Sequence, residues 1–244
     1  MKIESLDNKK VKNWTKLKEK KYRDQNGLFL IEGNHLIEEA SKYNVIVEII
    51  TTDESLSSEI YPIYYVSEAV MKKLSFQVTS SNICAVCKKL EENEINSSCL
   101  ILDGIQDPGN LGTMIRSAVA FNVNHLVLGF DCVDLYNEKV IRASEGMLFH
   151  LNIIRTDLTA FINEIKQKDY HVYKTDVENG KHVNQTKFSK KSAVIIGNEG
   201  NGVSEAIKKL VPDSIYIPMN DNCESLNAGV SASIIMYEMG NQNE

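Results

Sequence analysis

From Cys99 onward the chain carries six short apolar runs, and helical patterns separate most of them. The runs are Cys99–Leu102, Leu126–Leu128, Leu151–Ile154, His171–Tyr173, Ala193–Ile196 and Ser214–Ile217. Strands that are apolar along their whole length are typical of a mostly parallel sheet with both faces covered by helices. The alternation therefore predicts an α/β domain in this part of the chain.

The first 90 or so residues show a second, smaller alternation of helices and strands. Apolar spacing predicts helices over 5–21, 34–42 and 68–74, and β-branched runs predict strands over 28–31, 45–51 and 83–88. The polar, aperiodic stretch 91–98 is typical of a linker. We therefore expect a small α/β domain over residues 1–92 and the larger α/β domain over residues 93–244.

Charge is distributed unevenly along the chain. Residues 1–28 hold nine basic and four acidic side chains, although the net charge of the whole chain is −6. A basic segment on an acidic protein suits contact with RNA phosphates, and a solvated helix face is the alternative interpretation. No apolar run approaches the ~18–20 residues that span a bilayer, so we expect no membrane contact.

Five cysteines and an N-terminus without an apolar stretch favour a cytoplasmic protein with reduced thiols. Cys84 and Cys87 form a CxxC pair, but no second pair or histidine pair stands at metal-site spacing. The surrounding residues read as a buried strand. We therefore expect no metal.

Three polar, loop-forming segments follow the predicted strands of the larger domain. They are residues 103–116, 197–205 and 218–230. The carboxyl ends of parallel strands meet at one edge of a sheet, where ligands bind, so these loops predict one shared pocket. They match neither the dinucleotide fingerprint nor the phosphate-binding loop, which disfavours an enzyme acting on small nucleotides.

Each loop offers a polar group for chemistry. Arg116 lies near the second turn of the helix after the first loop, from which it can reach back to the sheet edge. Glu199 stands among three glycines and could bind a cation, a hydroxyl or an arginine. Ser225 and Asn227 precede a helix rich in small residues, and on their own they fit a cap and a turn equally well.

Taken together, the loops resemble the three motifs of the SpoU (TrmH) branch of the SPOUT methyltransferases. The matching segments are Asn110-x-Gly112-x-x-x-Arg116, Gly197-Asn198-Glu199-Gly200-x-Gly202 and Ile217-Pro218-Met219, followed six residues later by Ser225-Leu226-Asn227. The segment 134–146 is similar to the stretch between the first two motifs. Residues 22–33 resemble the small L30e-like substrate-binding domain of members that modify ribosomal RNA.

The resemblance implies a catalytic domain with a deep trefoil knot, an exception to unknotted topology, and a homodimer with active sites at its interface. It implies S-adenosyl-L-methionine as cofactor. The cofactor would be held mainly by backbone groups around Gly197, Ile217 and Leu226, with Asn198 and Met219 beside them. Arg116, Asn110, Glu199, Ser225 and Asn227 match the positions that form the catalytic site.

The implied reaction transfers a methyl group to a ribose 2′-hydroxyl of RNA, most simply of 23S ribosomal RNA. Arg116 would either deprotonate or position the hydroxyl; since arginine holds its proton at ordinary pH, both roles stay open. Glu199 and Asn227 would orient Arg116 or the substrate ribose. A tRNA 2′-O-methyltransferase and an inactive RNA-binding paralogue are the alternatives.

Overall fold

A computed structural model describes residues 2–177 and 179–242. The helices are α1 (Lys9–Lys16), α2 (Lys20–Asn26), α3 (Asn34–Ser41), α4 (Glu68–Leu74), α5 (Pro108–Ala120), α6 (Glu138–Ala143), α7 (Leu158–Gln167), α8 (Glu205–Leu210) and α9 (Ala228–Asn241). The strands are β1 (Leu28–Glu32), β2 (Ile46–Thr51), β3 (Ile63–Tyr65), β4 (Ile83–Lys88), β5 (Cys99–Leu102), β6 (His125–Gly129), β7 (Asn152–Thr156), β8 (His171–Thr175), β9 (Lys181–His182), β10 (Ser192–Ile196) and β11 (Ser214–Tyr216).

The described residues form two compact units. Unit 1 comprises those within Met1–Leu90 and Asp134–Phe149, and unit 2 those within Glu91–Val133 and His150–Glu244. The segment Asp134–Phe149, which lies between β6 and β7 in sequence, therefore belongs to unit 1. The functional division at residues 92 and 93 stays a prediction.

Unit 2 is the predicted α/β domain. Its seven strands are all parallel and lie in the order β7-β6-β5-β10-β8-β11-β9. β5, β6 and β10 are buried along their whole length, which explains why their sequences read as unbroken apolar runs. The α/β fold class is confirmed, and the knot stays a prediction.

The predicted linker is fastened to unit 2. The Asn152 side chain accepts a hydrogen bond from the backbone N–H of Asn93 (2.9 Å) and donates to the Asn93 carbonyl (2.6 Å). His125, buried at the start of β6, bonds Asn96 Oδ1 at 2.9 Å. Burial lowers the pKa of His125, so this imidazole stays neutral at ordinary pH. The chain that enters β5 is thus held in place.

Unit 1 contains a sheet in the order β1-β4-β2-β3, in which β4 runs antiparallel to both of its neighbours. The prediction of one helix over 5–21 is wrong, because α1 ends at Lys16 and α2 begins at Lys20. In the intervening turn the carbonyls of Leu17 and Lys18 accept hydrogen bonds from Arg23, at 3.0 and 2.7 Å. These carbonyls therefore bind a guanidinium instead of continuing a helix.

A buried ion pair joins the two segments of unit 1. Arg23 Nη2 lies 2.6 Å from Asp134 Oδ2, and the two side chains are only 7% and 13% exposed. Arg23 Nε is buried and has no hydrogen-bond partner within the described part of the chain. The guanidinium therefore depends on Asp134 for charge compensation. Phe29 of β1 packs on Tyr136 and Phe149 beside this pair.

Substituting Asp134→Ala leaves the Arg23 guanidinium buried without its counter-charge. We expect a loss of about 3 kcal/mol or more in the free energy of unfolding of unit 1. Urea unfolding followed by Trp14, the only tryptophan and buried in unit 1, measures this loss. As a matched control, Asp7→Ala breaks an exposed pair with Lys12 and should leave the free energy of unfolding almost unchanged. Equal losses in both variants would contradict the assignment.

Candidate active site

The three loops predicted to converge do so in the structure. β5, β10, β8 and β11 are neighbours in the parallel sheet, so their carboxyl ends lie along one edge. The loops that follow β5 and β10 exchange hydrogen bonds: Asn198 Nδ2 donates to the carbonyl of Gly104 at 2.7 Å. The backbone N–H of Ser204 donates to Asp103 Oδ2 at 2.7 Å. Ser204 is the N-cap residue of α8, but its side chain makes no capping hydrogen bond.

Glu199 is the centre of these contacts. Its carboxylate accepts hydrogen bonds from the backbone N–H groups of Gln106 (3.2 Å) and Asp107 (3.1 Å) and from the Asn110 side chain (2.9 Å). Three donors from the loop after β5 thus meet one acceptor from the loop after β10. Glu199 therefore fixes the position of the loop that leads into α5.

Asn110 extends this network to the third loop. It is 7% exposed, and its Oδ1 accepts a hydrogen bond from Asn227 Nδ2 at 2.8 Å. Asn227 caps α9 by accepting from the backbone N–H of Val230. The Asp107 side chain caps α5 in the same manner, accepting from the backbone N–H of Asn110. The starts of two helices are thereby tied to one carboxylate.

Two opposing effects set the pKa of Glu199. Partial burial raises it, but hydrogen bonds from Asn110 and from backbone N–H groups, including those of Asp107 and Gln106, lower it further than burial raises it. The net pKa lies below the ordinary glutamate value. Glu199 is therefore ionised at neutral pH and serves as an acceptor.

Two glycines of the second loop are favoured for different structural reasons. A Cβ on Gly197 would lie 2.1 Å from backbone atoms of Gly202 and Val203, so the loop's own turn leaves no space for a side chain. Gly202 has a φ of 67°, a conformation that favours glycine. Gly197 is thus required by the fold of the loop itself, and this turn gives the adjoining cleft its shape.

A cleft of about 420 Å³ opens beside these loops. All five residues predicted to bind the cofactor line it, namely Gly197, Asn198, Ile217, Met219 and Leu226. Ser225 and Glu199 line it as well. Its volume lies within the range of about 300–1,000 Å³ that is usual for small-molecule sites.

The sequence reasoning missed one wall of this cleft. Thr175, the last residue of β8, and the next two residues, Asp176 and Val177, line it, as does Lys208 of α8. The signal was available, because the run His171–Tyr173 was predicted as a strand of the same parallel sheet. The residues after it had to reach the same edge, although they carry no glycine-rich pattern.

Arg116 does not line the cleft. It is exposed on α5, and no hydrogen bond or ion pair with a described residue is recorded for it. Glu199 and Asn227, which were expected to orient Arg116 or the ribose, hold Asn110 in the single chain. The catalytic role of each of these residues stays a prediction.

Comparison with known proteins identifies the same two parts. The SpoU rRNA Methylase family matches residues 97–237, and the MRM3-like substrate binding domain matches residues 8–85. The chain is 38% identical over 243 residues to the 23S rRNA (guanosine(2553)-2′-O)-methyltransferase RlmP of Bacillus subtilis (strain 168). That alignment covers 97% of this chain and 98% of RlmP.

The chain also superposes on solved structures over nearly its whole length. An RNA 2′-O ribose methyltransferase superposes with a TM-score of 0.82 at 30% identity, covering 99% of each chain. The SpoU methyltransferase AviRb from Streptomyces viridochromogenes, in complex with AdoMet, superposes with a TM-score of 0.85 at 23% identity, covering 96% of this chain and 98% of AviRb.

Fold, cleft and comparisons define an RNA methyltransferase. The chain belongs to the SpoU rRNA methylase family, whose members transfer methyl groups from S-adenosylmethionine to RNA ribose 2′-hydroxyls.

The charges of the cleft suit this cofactor. S-adenosylmethionine carries a sulfonium, an ammonium and one carboxylate, and so has a net positive charge. Asp176, Glu199 and Lys208 are the charged residues among the described ones that line the cleft, and two of these three are acidic. Apolar side chains from Ile196, Val203 and Ile217 complete walls that can pack on an adenine ring.

Substituting Glu199→Gln keeps the shape of the side chain but places an NH₂ against N–H donors. Because Glu199 is exposed and water screens it, we expect a loss of only about 1 kcal/mol in the free energy of unfolding at neutral pH. Because the pKa of Glu199 is lower in the folded state, the ionised side chain stabilises the fold at pH values above the ordinary glutamate pKa. This stabilisation is lost as the pH falls through the lowered pKa.

The stability difference between wild type and Glu199→Gln should therefore shrink as the pH is lowered from neutral into the acid range. Urea unfolding at several pH values measures it. Glu205→Gln, which affects an exposed acid paired with Lys208, is the control and should change little. A difference that grows in acid would contradict the assignment.

Proposed function

We propose that this chain methylates a ribose 2′-hydroxyl of 23S ribosomal RNA, at the position that corresponds to the guanosine modified by RlmP. The observation that carries this proposal is the similarity to RlmP along nearly the whole chain. It includes the residues that match a substrate-binding domain, so the likeness extends beyond the chemistry to the part that selects RNA.

Within this reaction S-adenosylmethionine supplies a methyl group that is already activated on sulfonium. The protein must then present the hydroxyl oxygen in line with the methyl group, and the hydroxyl proton passes to solvent because Arg116 retains its own proton. We assign Arg116 to orienting the hydroxyl and a neighbouring phosphate, because its fork of donors suits phosphate and it retains its own proton. Asn110, Glu199 and Asn227 hold the loops on either side, and Ser225 presents a hydroxyl at the cleft.

We also propose a homodimer that buries the exposed face of α9. Val230 and Tyr237 on this helix are 46% and 50% exposed, and Ile234 between them is partly exposed. A stripe of apolar side chains at this spacing is typical of a helix that packs on another helix. Arg116 is exposed on α5, which packs against α9, so a second chain would complete the reaction centre at this face.

A cytoplasmic location fits this substrate. All five cysteines are free thiols, and four of them are buried. No helix in the part of the chain that the structure describes is long and apolar enough to cross a bilayer.

Substituting Arg116→Ala should lower kcat by about 10²-fold or more, because a reacting group that is misplaced by only about 1 Å reacts on that order more slowly. Affinity for S-adenosylmethionine should change little, because Arg116 does not line the cleft. Arg116→Lys should remain impaired, since a lysine lacks the planar fork. Turnover with purified 23S rRNA and calorimetric cofactor binding give the two readouts, and near-normal turnover by Arg116→Ala would refute the assignment.

The basic helix of unit 1 should contribute to RNA binding through its unpaired lysines. Lys10 pairs with Glu48 and Lys12 with Asp7, whereas Lys9 and Lys16 have no recorded ion pair within the described ranges. The double variant Lys9→Glu/Lys16→Glu should weaken RNA binding and reduce the magnitude of its log–log salt slope by about 1 or more. Lys12→Glu is the matched control and should do less. An unchanged slope would mean that α1 is only a solvated helix.

Mapping 2′-O-methyl groups in 23S rRNA from cells with and without the gene tests the proposed function. We expect one site to disappear on deletion and to return with the wild-type gene, but not with the Arg116→Ala gene. An identical methylation map in the deletion strain would overturn the proposal, and loss of a site in tRNA instead would assign the chain to the tRNA-modifying branch.

A further inference from the structure

An exposed aromatic ring stands at the edge of the sheet, next to the proposed reaction centre. Phe130 directly follows β6, and its side chain is 67% exposed. It belongs to unit 2 and is not among the residues that line the cleft. Single exposed apolar side chains are common on protein surfaces, and Phe130 is distinguished by the support and the position of the turn that carries it.

Hydrogen bonds from Arg155 fix the backbone of the turn that carries Phe130. Arg155 of β7 donates hydrogen bonds to the carbonyls of Phe130 (2.8 Å), Cys132 and Val133 (3.1 Å). The thiol of Cys132 also donates to the carbonyl of Leu102 at the end of β5. Three carbonyls bound to one guanidinium fix the backbone, and so the ring is presented from a pre-organised support.

This turn is also bonded to the loop that Glu199 holds. The backbone N–H of Val133 donates to the carbonyl of Ile105 at 2.8 Å, and the Gln106 side chain donates to the carbonyl of Asp131. The next contact in this series is the bond from the Gln106 N–H to Glu199. The position of Phe130 is therefore fixed relative to Asn110 and the start of α5.

The spacing suits a neighbouring nucleotide. β6 lies next to β5, and β5 lies next to β10, so the end of β6 is about 10 Å from the end of β10. Phe130 therefore lies at the same edge of the sheet as the loops that line the cleft. The next residue, Asp131, is exposed, and its carboxylate would repel a phosphate, which favours a base over the RNA backbone as the partner of the ring.

We propose that Phe130 is a stacking platform for an unpaired RNA base that flanks the methylated ribose. This inference rests on the proposed function, and it adds a contact on unit 2 that selects RNA. Unpaired bases stack on aromatic rings, and such a contact orders the flanking chain so that the target ribose stays in the reaction centre.

The test compares Phe130→Ala, Phe130→Leu and Phe130→Trp in the full-length protein, using an unmethylated 23S rRNA transcript as probe. Loss of one base stack should raise both the Kd for the transcript without cofactor and the KM for RNA about tenfold in the Ala and Leu variants. The Trp variant should resemble wild type, because a ring is retained. Affinity for S-adenosylmethionine and kcat at saturating RNA should stay unchanged.

Phe130→Leu keeps an apolar side chain but removes the ring, so it is the control that separates base stacking from apolar contact in general. An RNA Kd for Phe130→Ala within about twofold of wild type would overturn the proposal, as would equal effects of Ala and Trp. A change in oligomeric mass on substitution would instead assign the ring to a protein interface. Since the Kd needs no turnover, failure of the stack is distinguishable from absence of methyl transfer.

Discussion

The carboxylate of Glu199 is the contact on which the arrangement of unit 2 around the cleft depends. Backbone N–H groups of Gln106 and Asp107 and the side chain of Asn110 all donate to it. Because Asn110 in turn accepts from Asn227, one charge organises segments that are 117 residues apart in sequence. A glutamate in a glycine-rich loop would be flexible on its own, and the donors of another loop give it a fixed position.

This arrangement separates two tasks. Backbone turns such as that at Gly197 shape the cofactor cleft, and the polar network places the helix that carries Arg116. Arg116 makes no hydrogen bond or ion pair with another described residue, which leaves it available for the substrate and the second chain that we propose. We propose that selection of RNA lies elsewhere, with the residues of unit 1 that match a substrate-binding domain and with the ring of Phe130.

Much of the fold could be predicted because local patterns carry it. The strand Ile83–Lys88 and the helix Glu68–Leu74 have the predicted bounds, since the spacing of apolar residues is a local pattern. The prediction of a single helix over 5–21 was wrong because Arg23 binds the carbonyls of Leu17 and Lys18 in the turn. The spacing of apolar residues does not indicate such a contact. Contacts between residues far apart in sequence could not be predicted for the same reason. Neither the Glu199–Asn110 hydrogen bond nor the Arg23–Asp134 ion pair produces a pattern in the sequence. The short strand β9 was missed because two residues cannot show alternation.

The central claim is that Glu199 and Asn110 act as one unit in placing the catalytic loops. A double-mutant cycle on kcat with Glu199→Gln, Asn110→Ala and the combined variant measures their coupling most directly. If the side chains act through their shared hydrogen bond, the double variant should be little worse than the more impaired single variant, with a coupling energy of about 1 kcal/mol or more. Additive losses within about 0.3–0.5 kcal/mol would show that the two residues act independently and would contradict the account.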